Sequence, residues 1–260
     1  MTAETPVIRS RDNALLKQLR RLLADGAASR RQGRAWLEGD HLCRAALQRG
    51  VQPELAVFAA SAWAAEGAQW AIAGSRLVLV DDGLFATLSS LESPARMGFV
   101  VPLPEPGAPV PGMASVVLDG LQDPGNVGAI LRCASAFGFG QVLAMKGTTA
   151  LWGPKVLRAG MGAHFGLRLL EGLAPADLAG LGVPLLATSS HRGDWLHRAT
   201  LPWPCGWILG HEGQGVRPEL EALAAGHVRI AQPGGEESLN VAAAAAICMH
   251  ASAVAHAPDA

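Results

Sequence analysis

Short apolar runs alternate strictly with stretches of helical spacing over the second half of the chain. The apolar runs include SVVLD at 115–119, QVLAM at 141–145 and WILG at 207–210, and the helical stretches between the runs are 126–138, 155–163, 175–181 and 218–225. Regular alternation of strands and helices predicts a mostly parallel sheet that helices cover on both faces. Ligands of such sheets bind at the carboxyl ends of the strands. We therefore expect the functional residues in the loops that follow the strands.

A proline-rich segment, PLPEPGAPVPG at 102–112, divides the chain into two unequal parts. Its five prolines exclude a helix and favour an extended connector. We therefore predict a linker at 102–112 between a first domain at 1–101 and a second at 113–260. In the first domain the strand-like runs LAVF, RLVLV and MGFVV lie among helical stretches at 12–24, 40–49 and 82–90. This pattern predicts a small α/β domain.

The first fifty residues carry a local surplus of positive charge. Residues 1–50 contain ten Arg or Lys against five Asp or Glu, although the whole chain has a formal net charge of −1. Leucines within 12–24 have the spacing of one apolar helix face, and the opposite face is basic. Such a surface attracts phosphates, and a merely solvated helix face is the alternative. The candidate phosphate contacts, which become candidate RNA contacts under the family resemblance described below, are Arg9, Arg11, Lys17, Arg20, Arg21, Arg30 and Arg31.

The loop after the first strand of the second domain reads LDGLQDPGNVGAILR and contains Asn126 in a turn. Gly128 and Arg132 share one face of the helix that follows, since residues four apart are neighbours on a helix. A phosphate or ribose can approach the helix closely at Gly128 and meet both Arg132 and the positive end of the helix dipole. A surface arginine behind a turn is the alternative interpretation.

A second loop, HEGQGV, follows the strand-like run WILG. Gly210, Gly213 and Gly215 surround Glu212 there. Glycines at this density let the backbone come close to a ligand, and a flexible turn is the alternative.

A third loop lies within 227–250 and leads into an alanine-rich helix that we expect from about 239 to 254. Ser238 and Asn240 stand before five successive alanines, and both residue types are good N-caps. A purely capping role is therefore the alternative to a functional one.

Together the three loops resemble the three sequence motifs of the SpoU/TrmH branch of the SPOUT methyltransferases. Those motifs, Asn-x-Gly-x-x-x-Arg, Gly-x-Glu-x-x-Gly and Ser-Leu-Asn-Val-Ala, stand here at 126–132, 210–215 and 238–242. PKVLRAGMGAHF at 154–165 and the N-terminal runs SRDNALLKQLRRLL and LEGDHLCRAAL also resemble the family, so the resemblance covers nearly the whole chain. The chain departs from the family pattern at three places, Gly160, His211 and Ala231-Gln232.

The resemblance implies a trefoil-knotted SPOUT methyltransferase domain preceded by a ribosomal-protein-like α/β domain that binds RNA. It implies an S-adenosylmethionine-dependent enzyme that methylates a ribose 2′-hydroxyl, with ribosomal RNA as the first choice of substrate and transfer RNA as the alternative. A non-catalytic RNA-binding protein of the same fold is a further alternative. The family also implies a homodimer, with catalytic residues gathered near the subunit interface.

The resemblance further implies roles for individual residues. Arg132 would bind the RNA phosphate and stabilise the developing charge on the ribose oxygen, because a guanidinium holds its proton too tightly to be an easy general base. Glu212 and Asn126 would orient Arg132 or the ribose, and Ser238 and Asn240 would shape the pocket. The cofactor would be held largely by the backbone of Thr188, Gly210, Ile230 and Leu239.

Other classes of protein find little support in the sequence. No apolar stretch approaches the roughly 20 residues of a membrane span, and the N-terminal residues lack the apolar core of a signal peptide, so we expect a cytoplasmic protein with no membrane partner. The four cysteines are scattered and the eight histidines form no ligand pattern, so we expect no metal. His191 and His197 are expected at the surface. No phosphate-binding glycine motif of a nucleotide-dependent oxidoreductase or NTPase is present.

Overall fold

The computed structural model describes residues 5–70, 72–89, 93–105, 107–189, 191–234 and 238–256. The chain divides into two units. Unit 1 contains residues 1–105 and 152–165, and unit 2 contains residues 106–151 and 166–260. The segment 152–165 therefore packs with unit 1, although unit 2 precedes and follows it in the sequence. The domain ranges given above stay predictions, because packing does not show which part of the chain folds independently.

Unit 1 contains a five-stranded mixed sheet. Its strands are β1 (Val7–Ile8), β2 (Arg34–Glu38), β3 (Leu55–Ala59), β4 (Arg76–Val80) and β5 (Met97–Pro102), in the spatial order β1-β4-β3-β5-β2. Strands β1 and β3 pair parallel with β4, whereas β5 pairs antiparallel with β3 and with β2. The strands predicted at LAVF, RLVLV and MGFVV are confirmed. Strands β1 and β2 went unpredicted, since the first has two residues and the second has charged ends.

Helices flank the sheet of unit 1. They are α1 (Ala14–Ala24), α2 (Ala28–Gln32), α3 (Asp40–Gln48), α4 (Ala60–Glu66) and α5 (Asp82–Ala86). The apolar face predicted for α1 is confirmed, because its residues Leu16, Leu19 and Leu22 are buried. The helix predicted over 82–90 is wrong in length. It ends at Ala86, where the Thr87 hydroxyl donates to a backbone carbonyl of the last turn and competes with further helix.

Unit 2 contains a seven-stranded sheet, parallel at every strand pair that the described residues form. Its strands are β6 (Ser115–Asp119), β7 (Gln141–Met145), β8 (Arg168–Leu173), β9 (Leu185–Thr188), β10 (Asp194–Trp195), β11 (Gly206–Gly210) and β12 (Gly226–Arg229). The spatial order is β10-β12-β9-β11-β6-β7-β8. The predicted parallel sheet is confirmed.

Helices α6 (Pro124–Ala136), α8 (Pro218–Glu221) and α9 (Val241–Ala255) belong to unit 2, whereas α7 (Pro154–Gly160) belongs to unit 1. Helix α9 packs on the sheet, and its residue Ser252 accepts a 3.0 Å hydrogen bond from Trp207 Nε1 of β11. In the described part of the chain, no helix is long and apolar enough to cross a lipid bilayer.

Two helices predicted in unit 2 are shorter than expected. The stretch 175–181 forms only a 3₁₀ turn at Pro175–Leu178, since the chain soon reaches Gly182, which adopts a positive φ of 64°. The stretch 218–225 is helical only in α8. The helix ends early because the Ala225 N–H donates to the carbonyl of Leu185 in β9. This hydrogen bond joins the chain to the sheet just before β12.

Candidate active site

Two of the three sequence motifs follow neighbouring strands of the parallel sheet. Strand β6 ends at Asp119, strand β11 ends at Gly210, and these two residues are register partners. The carboxyl ends of parallel strands lie at one edge of a sheet, where ligands bind. The loop after β6 leads to Asn126, and the loop after β11 contains Glu212. Motifs far apart in sequence therefore meet at this edge.

Three predicted side chains form a connected polar cluster, which consists of Asn126, Glu212 and Asn240. The Asn126 Nδ2 atom donates to Glu212 Oε1 at 3.2 Å, and Asn240 Nδ2 donates to Asn126 Oδ1 at 2.9 Å. Each of the three sequence motifs contributes one member. Glu212 and Asn240 are exposed and Asn126 is half-buried, so a substrate has access to the cluster.

Helix capping explains how two members of the cluster are positioned. Asp123 caps α6 by accepting from the Asn126 N–H at 2.7 Å, and Pro124 suits the first helical turn. Asn240 caps α9 through its Oδ1 atom, which accepts from the N–H groups of Ala242 and Ala243. Because Oδ1 is engaged in capping, Nδ2 points to Asn126. The predicted capping role of Asn240 is thus confirmed, and the same cap orients its amide toward the cluster.

The Glu212 carboxyl group has a pKa below its ordinary value of 4.5. Burial raises this pKa, but hydrogen bonds from the residue's own N–H, from the Asn126 amide and from the backbone of Gln122 and Asp123 lower it by more. Glu212 is therefore a carboxylate at neutral pH. The negative charge explains why the cluster presents an amide N–H, and not an amide oxygen, to this residue.

The lowered pKa predicts an acid-dependent contribution of Glu212 to stability. A carboxyl group whose pKa is lower in the folded state stabilises that state above the unfolded pKa, and this contribution is lost as the pH falls through the folded pKa. We expect Glu212→Gln to unfold at lower denaturant concentration than the parent protein at pH 7. The gap should close as the pH falls below about 4.5. Chemical denaturation at several pH values measures this.

The control for this prediction is Glu105→Gln, which removes an exposed carboxylate for which the described residues provide no ion-pair partner. It should show no such pH-dependent gap. A Glu212→Gln gap that stays constant down to pH 3 would contradict the prediction.

Arg132 does not belong to the polar cluster. It is exposed on α6, and among the described residues its guanidinium has no hydrogen-bond or ion-pair partner. It follows Asn126 by six residues, a rise of roughly 9 Å along the helix axis. Gly128, one turn before Arg132, is buried. The structure thus leaves the guanidinium free to meet an outside phosphate, and its catalytic role stays a prediction.

The predicted cofactor residues lie at the same edge of the sheet, two of them around a cavity of about 350 Å³. The cavity is lined by Ile230, Ala231, Gln232, Gly234, Leu239 and Ile247. Thr188 ends β9 and donates its hydroxyl to the Ile208 carbonyl at 3.3 Å, and Gly210 ends β11. Neither lines the cavity.

Ser238 is exposed beside Leu239 and has no partner among the described residues.

The glycine-rich loop after β11 is closed by backbone hydrogen bonds. His211 and Gly215 exchange two backbone hydrogen bonds, of 3.0 and 2.8 Å. A Cβ atom at Gly210 would lie 2.2 Å from the Gly215 carbonyl carbon and 2.3 Å from the Val216 nitrogen, and backbone atoms cannot move aside cheaply. Gly210 is therefore required for this loop to fold back on its strand.

A buried ion pair that the sequence analysis missed joins the same two loops. Arg217 Nε lies 2.5 Å from Asp119 Oδ1, and the Arg217 N–H donates to Asp119 Oδ2 at 2.7 Å. Arg217 also donates to the Lys146 carbonyl at 3.1 Å. The Asp119 side chain is 2% exposed. The signal that could have found it is an acidic residue that ends an otherwise apolar strand.

The candidate RNA contacts of unit 1 lie at or near its surface. Arg20, half-buried on α1, donates to the Arg11 carbonyl and to the Thr87 hydroxyl, both at 3.1 Å. Lys17 pairs with Asp12 at 2.9 Å, and Arg31 pairs with Asp25. Those without a described side-chain partner are Arg9, Arg11, Arg21 and Arg30. RNA binding by these residues stays a prediction.

In the residues that the structure describes, no group of three or more His, Cys, Asp or Glu side chains is arranged to hold a metal ion. Burial raises the pKa of the Cys248 thiol to about 12, so this thiol is protonated at neutral pH.

Comparison with known proteins places the chain in a family. The model of the SpoU rRNA Methylase family matches residues 113–250, more than half of the chain. The chain belongs to this family. The model of the MRM3-like substrate binding domain matches residues 13–97. The predicted SpoU/TrmH resemblance is confirmed, as are the parallel-sheet methyltransferase fold and the N-terminal substrate-binding domain.

Individual relatives of this SpoU-family protein match over most of their length. A tRNA/rRNA methyltransferase of Synechocystis, itself called uncharacterized, is 30% identical over 96% of this chain and 94% of its own. The 23S rRNA (guanosine(2553)-2′-O)-methyltransferase RlmP of Bacillus subtilis is 28% identical over 82% of this chain and 86% of its own. The structure of a TrmH-family RNA methyltransferase from Porphyromonas gingivalis superposes with a TM-score of 0.81 at 29% identity, over 95% of this chain and 98% of that one.

Proposed function

We propose that this protein transfers a methyl group from S-adenosylmethionine to the 2′-hydroxyl of a nucleotide in ribosomal RNA. The observation that carries the proposal is the polar cluster of Asn126, Glu212 and Asn240, in which each family motif supplies one side chain. The 2′-O activity and ribosomal RNA substrate named for the Bacillus relative support both parts of the proposal.

The cavity at the carboxyl edge fits the nucleoside part of the cofactor. Its volume of about 350 Å³ lies within the usual range of small-molecule sites, which is roughly 300–1,000 Å³. The side chains of Ile230, Leu239 and Ile247 can pack against an adenine ring, and the adjoining backbone offers hydrogen bonds. When bound, S-adenosylmethionine supplies an electrophilic methyl group on a sulfonium sulfur.

The protein's own residues would prepare the ribose for attack. A 2′-hydroxyl is a poor nucleophile until its proton leaves or its developing charge is stabilised. The Arg132 guanidinium, which has no partner in the described part of the chain, can hold an RNA phosphate with two parallel N–H donors and favour negative charge on the nearby oxygen. Glu212, a carboxylate that accepts a hydrogen bond from the Asn126 amide, can also accept one from a ribose hydroxyl or orient Arg132. The exposed Ser238 hydroxyl can complete the hydrogen bonds to the substrate.

Gly210→Ala is expected to weaken cofactor binding about ten-fold or more, because its methyl group would collide with the backbone of Gly215 and displace the loop. Isothermal titration with S-adenosylmethionine measures the affinity. Gly213→Ala in the same loop is the matched control, since the nearest atom to its Cβ would lie 3.9 Å away and the affinity should be retained. Equal losses in both variants would refute the idea that close packing at Gly210 shapes the site.

The decisive test of the function is a map of 2′-O-methyl groups on total RNA from cells with and without the gene. One ribosomal position should lose its methyl group in the deletion strain and regain it when the gene is restored. Purified protein should then transfer labelled methyl groups to that RNA segment. Loss of a mark on transfer RNA alone would replace the proposed substrate, and no lost mark on any RNA would refute the activity.

The proposal includes a homodimer, a trefoil knot in unit 2 and a cytoplasmic location. Family membership supports the knot and the dimer. An exposed apolar side chain on α9 adds support for the dimer, because Val254 is 60% exposed in the single chain. Sedimentation of the purified protein tests the dimer, and a single-chain mass in solution would refute it.

A further inference from the structure

The outermost strand of the unit 2 sheet exposes a tryptophan. Among the strands that the structure describes, β10 pairs with β12 alone, and its last residue, Trp195, is 37% exposed. An exposed tryptophan at the edge of a sheet lowers solubility, and aromatic side chains are enriched in binding surfaces. The exposure of Trp195 therefore favours a binding role. No residue of β10 belongs to the family motifs or to the cofactor cavity.

An arginine stacks on this tryptophan. The Arg229 guanidinium carbon lies 4.0 Å from the centre of the Trp195 ring, and the two residues are register partners in β10 and β12. Arg229 Nε donates to the Gly193 carbonyl at 2.9 Å, which fixes the guanidinium plane. Gly193 itself has a φ of 99°, and a Cβ there would lie 2.1 Å from the His227 carbonyl oxygen. The stack is therefore held by close backbone packing.

Further basic residues lie close to the stack in the sequence. His197 lies with its ring centre 6.4 Å from that of Trp195, and His191 and Arg198 are exposed nearby in the chain. Arg198 has no ion-pair partner among the described residues. Arg192 is neutralised by Glu221, and Asp194 is the one acidic residue within 191–198. The surface formed by Trp195, Arg229, His197 and Arg198, here called the stacking platform, is thus net positive.

We infer that the stacking platform binds single-stranded RNA, with a base stacked on the Trp195–Arg229 pair and a phosphate held by Arg198. Aromatic rings and arginine planes are the groups on which proteins stack unpaired bases, and the basic rim complements the RNA backbone. Trp195 and Arg229 end their strands, so they lie at the carboxyl edge that also holds the polar cluster. The inference rests on the proposed function, because it takes RNA as the substrate. It adds to unit 2 an RNA surface separate from the basic residues of unit 1.

RNA binding by platform variants tests the inference. A fluorescent single-stranded RNA of about ten nucleotides, a length typical of such surfaces, is titrated into the full-length protein at several salt concentrations. We expect Trp195→Ala to weaken binding about ten-fold, as loss of a stacked base does. Arg229→Gln should weaken it similarly, whereas Arg229→Lys should show a smaller loss and keep more of the salt dependence.

Trp203→Ala is the matched control, since Trp203 is 38% exposed, also contacts a histidine ring and lies outside the platform. It should bind the RNA like the parent protein. Affinity for S-adenosylmethionine should be unchanged in all variants, which shows that unit 2 remains folded. Should Trp195→Ala fail to fold, Trp195→Leu and Arg229→Gln carry the same test.

The outcomes separate this inference from the proposed function. If the platform variants bind the RNA with an affinity within two-fold of the parent protein, the inference is wrong, whether or not methyl transfer occurs. The exposed edge would then be a binding surface for a partner protein. A parent protein that binds the RNA through the platform but methylates no RNA supports the inference and contradicts the proposed function. Crosslinking of 4-thiouridine RNA provides a second readout, with the peptide that contains Trp195 as the expected product.

Discussion

Arg132→Ala is expected to lower the rate of methyl transfer about 10²–10³-fold, the usual effect of removing one group that stabilises charge in a transition state. Because this side chain is exposed and has no partner among the described residues, its loss should change the free energy of unfolding by less than about 0.5 kcal/mol. Single-turnover transfer of a labelled methyl group to ribosomal RNA measures the rate. Affinity for S-adenosylmethionine is measured separately and should stay constant.

Two further variants serve as comparisons for Arg132→Ala. Arg132→Lys keeps the positive charge but loses the planar pair of donors, so it should recover only part of the rate. Arg168→Ala removes another exposed arginine of unit 2, whose guanidinium donates to the Ala108 carbonyl, and should transfer methyl groups normally. Near-normal transfer by Arg132→Ala would defeat the role assigned to this residue, whether as charge stabiliser or as base.

Asp119→Ala is expected to lower the free energy of unfolding by about 2–4 kcal/mol, because it strips the Arg217 guanidinium and backbone N–H of a buried acceptor. The arginine side chain is 34% exposed, so water can restore part of its solvation, and we expect the lower half of that range. Methyl transfer should also fall, since this ion pair joins the loops that carry Asn126 and Glu212. Denaturant unfolding and single-turnover assays measure the two effects.

The matched control is Asp119→Asn, which preserves the shape and an acceptor for the Arg217 N–H but removes the negative charge. Its loss of stability should be intermediate. If Asp119→Ala were as stable and as active as the parent protein, the ion pair would have no part in fixing the two loops. Loss of stability with full activity would limit its role to folding.

Much of the site could be predicted because it depends on local patterns. Alternating strand and helix runs predict a parallel sheet, and such a sheet brings the loops after β6 and β11 to one edge. The turn before Asn126 and the cap at Asn240 follow from residue types that favour those conformations. These local preferences predicted which side chains stand at the edge.

Contacts between distant residues could not be predicted in this way. The Asp119–Arg217 pair depends on β6 and β11 being neighbours, and the Trp195–Arg229 stack depends on β10 lying beside β12. Nothing in a strand's own residues specifies which strand pairs with it. The packing of 152–165 with unit 1 has the same origin, since the sequence alone groups this segment with the motifs around it.

The amino-acid sequence by itself determined the parallel architecture, the family and three members of the polar cluster, because periodicity, caps and glycine turns act over a few residues. Only the tertiary structure decided that Glu212 accepts a hydrogen bond from Asn126, that Arg132 lies outside the polar cluster, and that Arg229 stacks on the exposed Trp195 at the edge of the sheet. The physical reason is the distance along the chain over which each kind of interaction acts. Backbone preferences act between chain neighbours, whereas strand order and side-chain packing are settled by the burial of the whole sheet.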